Sequence, residues 1–290
     1  MVERYGFCGG GAVAGLSGTI CGMHEASDDP DAPPNQIVHG FLDEFAEHLN
    51  VRGGLTPPAR YSKTFTRVHD PLVWRETADA MLRDAGVQVL LHATMTGALV
   101  EGGEKIDGIV AYTKQGRLSV RAKVTIDASG DDDVAAMAGF ATFIGQDSKV
   151  QNPTMAFCLA GVDTERFLSS YGPNSIMGRE VTELILRLHN SQQYRLPRAK
   201  VFLFPTPRPN ELLRNCTRII GRDGREINPL LIVDLIEAEI EGRRQCGSAR
   251  ASLRTILQDV KTASSTTPAY RSVSARPGSC SAGPLYAIRT

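Results

Sequence analysis

The stretch KVTIDASGDDDVAAMAGF, residues 123–140, joins a short apolar run to a turn of small residues and then to a helical segment. Residues 124–126 (VTI) predict a strand, and residues 127–130 (DASG) allow the sharp turn that glycine permits. Residues 135–138 (AAMA) predict a helical turn, which Gly139 can close in the left-handed conformation. A strand, a glycine turn and a helix in this order indicate an α/β unit. Such a turn directs backbone N–H groups toward a phosphate or another anion at the helix N-terminus.

The aspartates of this stretch also permit a metal-binding interpretation. Asp127, Ser129 and Asp131 stand at alternate positions, as in a calcium loop. Asp132, however, takes the place of the obligatory glycine, and Ala138 takes the place of the bidentate glutamate. We therefore expect no metal site, and interpret the aspartates as residues that cap a helix and complement its dipole.

The charge balance bears on the kind of partner. Lysine plus arginine number 32, aspartate plus glutamate also number 32, and no basic cluster stands out. A nucleic acid or an anionic membrane is therefore not an expected partner. No apolar run approaches the roughly 20 residues of a membrane span. We expect a small-molecule substrate and no membrane span.

The cysteines bear on the compartment. All six are scattered without a C-x-x-C pair, which is typical of reduced thiols in a cytosol. The N-terminus has no charged region followed by a hydrophobic stretch, so nothing marks the chain for export. Cys8, Cys21 and His24 lack a fourth metal ligand at sensible spacing. These features predict a cytoplasmic protein.

Before the central turn, the pattern predicts two helices and a series of strands. Within residues 37–49, fourfold spacing relates Ile37, Phe41, Phe45 and Leu49, which indicates an amphipathic helix. Asp70-Pro71 is a helix start with Asp as N-cap, and Gly86 ends that helix. Short strands follow at residues 87–92, 94–100, 106–113 and 118–124, and the last three have the spacing of a β-meander.

After the central turn, strands and helices are mixed. The predicted elements are a strand within residues 151–163, a helical stripe at 181–188, a strand at 201–204 and apolar stripes at 232–236 and 249–260. Residues 261–290 are rich in Ser, Thr, Pro, Arg and Gly without periodicity, which predicts disorder.

The N-terminal segment is unusually rich in glycine. Residues 1–5 resemble the end of a strand, and residues 6–18 hold too many glycines for a stable helix interior. Gly9, Gly11 and Ala14 satisfy the relaxed dinucleotide fingerprint G-x-G-x-x-A. That fingerprint indicates a nucleotide only between an apolar strand and a helix, and neither neighbour is convincing here.

Taken in order, these segments resemble FAD-dependent oxidoreductases of the glutathione-reductase-like two-dinucleotide fold. The resemblance covers roughly residues 2 to 260, and its order and spacing make it more specific than any single motif. It is carried by VERYGFCGGGAVAGL (2–16), a D-P helix, GVQVLLH (86–92), a meander, IDASGDDDVAAMAG (126–139), QNPTM (151–155), FPTPRP (204–209) and EGRRQ (241–245).

The resemblance implies an α/β fold with three parts. Residues 1–140 would form an incomplete, N-terminally truncated FAD-binding Rossmann-like domain with a β-meander insertion. Residues 141–260 would form a mixed α+β substrate domain, and residues 261–290 a disordered or aberrant tail. The implied cofactor is FAD.

The resemblance also implies which residues contact FAD. Glu3, next to Arg4, would accept hydrogen bonds from the adenosine ribose. Backbone atoms of Met95 would contact adenine. The remaining positions would lie against the pyrophosphate and flavin or pass beside the cofactor, with Asp131 capping the following helix: Gly9, Gly10, Ala12, Ala128, Ser129, Gly130 and Asp131.

Two departures from the family pattern shape the functional hypotheses. The chain starts at the acidic residue that family members place after a strand, a G-x-G-x-x-G turn and a helix, so the phosphate-cradling loop is not part of it. The tail shows neither the P-G-F motif nor the G-V-R-E stretch of the family. We expect a family sequence shortened at its start and altered at its end, as by a shifted reading frame.

The leading hypothesis is an FAD-dependent oxidoreductase acting on a small molecule. The alternative is a catalytically inactive remnant that does not retain FAD. A dehydrogenase that uses nicotinamide alone is disfavoured, because the glycine segment follows Glu3 instead of preceding an acidic residue by roughly 20 positions. The sequence identifies no catalytic residue, and the side chains to test first are His24, His69 and Arg243.

Overall fold

The structure, a computed structural model, describes residues 1–103, 105–145, 150–191 and 198–256, and for residues 253–256 only the backbone. Helices and strands are mixed in these ranges, and the sheets are small and antiparallel, so the predicted α/β class is confirmed at that level. None of the described helices is both long and apolar enough to cross a bilayer. The predicted tail, residues 261–290, lies outside the described ranges.

In chain order the elements are α1 (Gly10–Val13), β1 (Thr19–Ile20), α2 (Phe41–Val51), β2 (Ala59–Tyr61), β3 (Thr64–Val68), α3 (Pro71–Asp84), β4 (Thr94–Glu101), β5 (Lys105–Thr113), β6 (Gly116–Arg121), α4 (Asp133–Met137), β7 (Phe157–Ala160), α5 (Thr164–Tyr171), α6 (Arg179–Asn190), β8 (Phe202–Pro205), β9 (Glu211–Asn215) and α7 (Ile232–Ile256).

The described chain divides into two compact units, and both are discontinuous in sequence. Unit 1 contains Met1–Gly10 and Ala78–Gln151, and unit 2 contains Gly11–Thr77 and the described residues from Asn152 onward. The consecutive domains expected from the sequence, 1–140 and 141–260, are a different division of the chain and stay a prediction.

Unit 1 contains the predicted β-meander. β4, β5 and β6 form one antiparallel sheet in that order, with a register shift between Met95 and Gly97. Gly108 in β5 has a φ of 152° and faces the backbone of Val120, where a side chain would collide. The predicted meander is therefore confirmed, with strand bounds within a few residues of the expected ones.

The start of the chain pairs in parallel with the segment after α3. Glu3 donates its N–H to the carbonyl of Leu90 at 2.8 Å, Leu90 donates to Met1 at 2.8 Å, and Ala93 donates to Glu3 at 3.0 Å. The prediction that residues 1–5 end a strand agrees with this pairing. The predicted strand at 87–92 is reduced to this short parallel contact.

The strand predicted at residues 124–126 is not formed. Ile126 is 78% exposed, and none of the strands that the structure describes pairs with this run. Apolar, β-branched residues become a strand only when a neighbouring strand supplies hydrogen-bond partners and covers one face. The expected sequence of strand, turn and helix is therefore correct only for the turn and the helix.

Unit 2 contains two antiparallel three-stranded sheets, in the orders β1-β3-β2 and β7-β9-β8. The larger of its two cores places residues of β7, β8 and β9 against α5, α6 and α7, with Phe167 and Ile185 at 1% exposure. A smaller core, which includes Leu16, Val68 and Leu213, joins the glycine-rich segment to both sheets.

The stripe predicted at 232–236 and the described part of the stripe predicted at 249–260 belong to one helix, α7, of 25 residues. Glycine within a helix generally weakens it. Gly242 instead provides close packing, because a Cβ there would lie 2.9 Å from Cε of Met155 and 3.0 Å from Cδ1 of Ile219.

Candidate functional site

The residues expected to contact FAD fall mainly in unit 1. Glu3 is half-buried at the end of the parallel contact, and its Oε1 accepts the N–H of Tyr5 at 2.8 Å. Gly9 has a φ of 128° and Gly10 a φ of 46°, conformations that favour glycine. The structure places no heavy atom within 4 Å of a Cβ built on Gly10. Directly after the segment that contains Glu3, the backbone at Gly10 is therefore not covered by other residues.

The central turn is organised by Asp127 rather than by the aspartates that follow it. The Asp127 carboxylate accepts the N–H of Val134 at 2.9 Å and of Ala135 at 3.1 Å, and also both the N–H and the hydroxyl of Ser129. Burial raises its pKa, but these hydrogen bonds outweigh burial, so the pKa is lowered. The anion at the start of α4 is thus Asp127 itself.

The predicted capping role of Asp131 is wrong, because Asp127 accepts the N–H groups at the start of α4. Asp132, the residue directly before α4, has a φ of 56°, and its side chain makes no cap hydrogen bond either. Asp131 is only partly covered by its neighbours. This partial burial and the neighbouring Asp133 raise its pKa, whereas Arg4 lowers it. Unit 1 therefore brings Arg4 within electrostatic range of the central turn.

Other expected contacts lie around this turn. Ala128, Ser129 and Gly130 are exposed, and Gly130 has a φ of 95° with no heavy atom within 4 Å of a built Cβ. α4 packs against β4, the strand that contains half-buried Met95. The expected contact Ala12 belongs to unit 2.

Unit 2 contains a cavity of about 290 Å³. It lies where the glycine-rich segment, the end of β3, the start of α3 and the β8–β9 connection meet. Its lining residues are Ala12, Leu16, Gly18, Val68, His69, Asp70, Pro71, Cys158, Thr206, Arg208, Glu211 and Leu213. Ala12 thus places one position of the FAD-like glycine segment in the wall of this cavity.

His69 is the buried polar side chain that the cavity wall leaves without a partner. It is 2% exposed, and neither Nδ1 nor Nε2 has a hydrogen-bond partner among the described residues. Its ring packs against Trp74 with centroids 4.4 Å apart, and its backbone N–H donates to Gly18. Burial lowers its pKa to about 4, against the opposing effect of Asp70. At neutral pH His69 is a neutral ring with one donor and one acceptor.

Asp70 and Arg208 form a two-pronged ion pair at the cavity. Nε of Arg208 lies 2.6 Å from Oδ2 of Asp70, and Nη2 lies 3.0 Å from Oδ1. Asp70 also accepts the N–H of Leu72 at 2.7 Å, as the predicted N-cap of α3. Burial raises the Asp70 pKa, but Arg208 and the α3 amides outweigh it and lower the pKa overall. The pair is thus held in its charged form.

Cys158 and Glu211 complete the polar wall. Burial raises the pKa of Cys158 to about 12, with Glu211 and Asp70 acting in the same direction, so its thiol is protonated and is not a nucleophile at neutral pH. Glu211 accepts the hydroxyl of Thr206 through Oε1 at 2.9 Å. The same hydroxyl accepts the N–H of Arg208 at 3.2 Å, which orders the β8–β9 connection.

The other two side chains proposed for testing lie elsewhere. His24 is buried but does not line the cavity, and burial lowers its pKa. Arg243 pairs on the surface of α7 with Glu239 at 2.8 Å. Of the three side chains proposed for testing, His69 alone is among the residues that line the cavity.

Arg208, Glu211 and Cys158 were not predicted as site residues from the sequence. Arg208 lies between two prolines of the FPTPRP segment, which attracted attention only as a family-like motif. The ion pair joins residues 138 positions apart, and no local pattern reports such a contact. An arginine fixed within a proline cluster was the one available signal.

The family comparison identifies the class of protein. A family model described as FAD dependent oxidoreductase matches residues 1–278. The chain therefore belongs to the FAD-dependent oxidoreductase family, as the ordered motifs indicated, and the family's cofactor is FAD. No curated protein matches the chain by sequence.

Among solved structures, the chain is similar to a geranylgeranyl bacteriochlorophyll reductase-like protein from Thermoplasma acidophilum, with 15% identity and a TM-score of 0.48, over 92% of this chain and 58% of that one. It is also similar to L-proline dehydrogenase from P. horikoshii, with 14% identity and a TM-score of 0.40, over 78% and 49%. A third is THI4 from Thermovibrio ammonificans, with 23% identity and a TM-score of 0.31, over 47% and 50%. The chain thus spans about half the length of these proteins.

The groups on this chain fit the family's cofactor. Glu3 leaves a carboxylate oxygen beyond its bond to Tyr5, which suits a ribose hydroxyl. In unit 1, Gly10 and Gly130 present backbone without a side chain, where a Cβ would occupy space that no described atom fills. A flat, phosphate-containing ligand needs such acceptors and such clearance.

Proposed function

We propose that this chain is an FAD-dependent oxidoreductase whose cavity in unit 2 binds a small-molecule substrate through His69. Family membership supports the class of reaction, and the observation that carries the site is His69, a buried and unpartnered imidazole in the wall of a cavity. A polar group buried without a partner costs about 1–3 kcal/mol, so a ligand that hydrogen-bonds to it recovers that energy.

In this proposal Glu3 and the bare glycines of the N-terminal and central turns contact FAD, which supplies the capacity to accept or donate hydride when bound. His69 holds the substrate by donating one hydrogen bond and accepting another. With a pKa of about 4 it orients a polar group at neutral pH and does not store a proton. Leu16, Val68 and Leu213 exclude water from one side of the same cavity.

The proposal is tested with the purified chain and added FAD. We expect flavin absorbance to remain after gel filtration, and a panel of small polar compounds to include one that bleaches it without oxygen. A colourless protein that takes up no added FAD would support the alternative, an inactive remnant.

The role of His69 is tested with two substitutions that leave Glu3 and the glycines unchanged. His69→Phe removes both hydrogen-bonding groups, and we expect roughly a tenfold or larger rise in KM for the bleaching compound. His69→Gln keeps a donor and an acceptor, so its KM should lie between those of the wild type and His69→Phe. Flavin content should be equal in all three proteins. An unchanged KM in His69→Phe would remove His69 from the site.

A further inference from the structure

The charged groups of the unit 2 cavity do not cancel. Asp70 is neutralised by the two hydrogen bonds from Arg208, and His69 is neutral. Glu211 adds a second carboxylate with no cation of its own among the described residues. Its neighbour Thr206 supplies a neutral hydroxyl to Oε1. The lining residues therefore contribute two negative charges and one positive charge.

Arg208 cannot serve both carboxylates equally. The hydrogen bonds that Arg208 donates to Asp70 are the main reason that the Arg208 pKa is raised, and Glu211 contributes only through its charge at longer range. The guanidinium presents Nε and one Nη to Asp70, an arrangement that fixes its plane. Glu211 thus keeps an oxygen available to a cationic ligand.

We propose that the cavity selects a small protonated amine over an uncharged or anionic compound, with Glu211 as the residue that determines this specificity. This inference rests on the proposed function and names the chemical class of its substrate. The ammonium group pairs with Glu211, and a polar atom elsewhere in the ligand reaches the unpartnered ring of His69. A carboxylate or phosphate meets an excess of negative charge and loses its hydration without gaining a cation.

The test compares three probes of one shape and different charge: benzylamine, benzyl alcohol and benzoate. Binding to the FAD-treated full chain is measured by saturation-transfer NMR, and the His69 ring signal, assigned by comparison with His69→Gln, reports on the cavity. We expect benzylamine to bind roughly tenfold or more tightly than benzoate and to shift the His69 signal.

Glu211→Gln removes the charge while its amide oxygen can still accept the Thr206 hydroxyl. We expect the preference for benzylamine over benzoate to fall to about twofold or less in this variant. Glu226→Gln makes the same charge change on an exposed residue of unit 2 and should leave the preference unchanged. Circular dichroism and the unfolding temperature verify that Glu211→Gln is folded.

Benzoate binding as tightly as benzylamine, no shift of the His69 signal with any probe, or an unchanged preference in Glu211→Gln would overturn the inference. These outcomes are separable from failure of the proposed function. A protein that retains FAD and is bleached by an anionic compound keeps the function and loses the amine specificity. A protein that takes up no FAD loses the function, whatever its preference among the probes.

Discussion

At the scale of single residues, His69 departs from what folding alone would select. A buried histidine normally finds a partner for at least one ring nitrogen, because an unmade hydrogen bond in the interior costs free energy. His69 has none among the described residues and still occupies the wall of a cavity. The sequence alone indicated His69 only as one of three side chains to test, because its burial and the cavity are products of tertiary structure.

The buried state of His69 predicts a pH dependence of stability. The unfolded chain binds a proton at this ring near pH 6.5, whereas the folded protein binds one only near pH 4. Between these values the unfolded state holds more protons, so the free energy of unfolding falls as the pH falls. The loss attributable to His69 should reach about 3 kcal/mol at pH 4. Urea unfolding at several pH values measures it.

The matched comparison uses His69→Gln, which cannot gain a proton. Between pH 6.5 and pH 4 its free energy of unfolding should fall less steeply than that of the wild type, by the amount assigned to His69. His189→Gln removes an exposed histidine and should keep the wild-type slope. Asp70 acts below this window, because its lowered pKa removes stability only as the pH falls below about 3.8. Parallel curves for the wild type and His69→Gln would contradict the prediction.

At the scale of elements, the start of α3 shows both what the sequence predicts and what it leaves out. Asp70-Pro71 is a local signal, and the structure confirms Asp70 as the residue that accepts the first helix N–H groups. The bond from Asp70 to Arg208 is not local and was not predicted. The long helix α7 also depends on a non-local contact: Gly242 packs closely on Met155, which a longer side chain would prevent.

Two helix caps in unit 2 allow the second role of Asp70 to be isolated. Asp163 caps α5 by accepting the N–H of Arg166 at 3.0 Å, and no described residue outside α5 forms an ion pair with it. Asp163→Ala should therefore cost about 1 kcal/mol of unfolding free energy. Asp70→Ala removes a cap and also the partner of Arg208, and should cost about 2–4 kcal/mol. This cost is set below that of a fully buried ion pair, because the Arg208 side chain is 41% exposed and water weakens the attraction.

Chemical denaturation of both variants at pH 7 measures these costs. Arg208→Gln supplies the control for the ion pair, because it leaves the Asp70 cap in place. The loss of unfolding free energy in Arg208→Gln, added to that in Asp163→Ala, should approach the loss in Asp70→Ala. Equal costs for Asp70→Ala and Asp163→Ala would show that the bond to Arg208 adds no stability.

At the scale of the whole molecule, the ordered motifs predicted the family, which the family match over residues 1–278 confirms. The meander could also be predicted from the sequence, because short β-strands separated by turn residues pair with their neighbours along the chain. The strand predicted at residues 124–126 is not formed, because a strand there needs a pairing partner that only the tertiary structure could supply. Units 1 and 2 are each made of chain segments that are far apart in sequence, whereas the predicted domains 1–140 and 141–260 follow the chain and stay a prediction.

Cofactor binding by the whole chain provides the last prediction. A ligand that binds only the folded state stabilises it by RT ln(1 + [L]/Kd), about 2.7 kcal/mol at 100 times Kd. FAD should therefore raise the unfolding temperature in a concentration-dependent way. Glu3→Gln keeps the acceptor for the Tyr5 N–H but loses the charge offered to the ribose. Its Kd for FAD should rise roughly tenfold.

The thermal shift measured against FAD concentration gives both dissociation constants. Glu101→Gln makes the same charge change on an exposed residue of unit 1, and its curve should superimpose on that of the wild type. Without FAD, all three proteins should unfold at similar temperatures, because neither substitution removes a buried contact. A shift of the same size in Glu3→Gln and the wild type at every FAD concentration would mean that Glu3 does not contact the ribose. The assignment of the N-terminal segment to the adenosine half of the cofactor would then be wrong, while the cavity around His69 would keep its own tests.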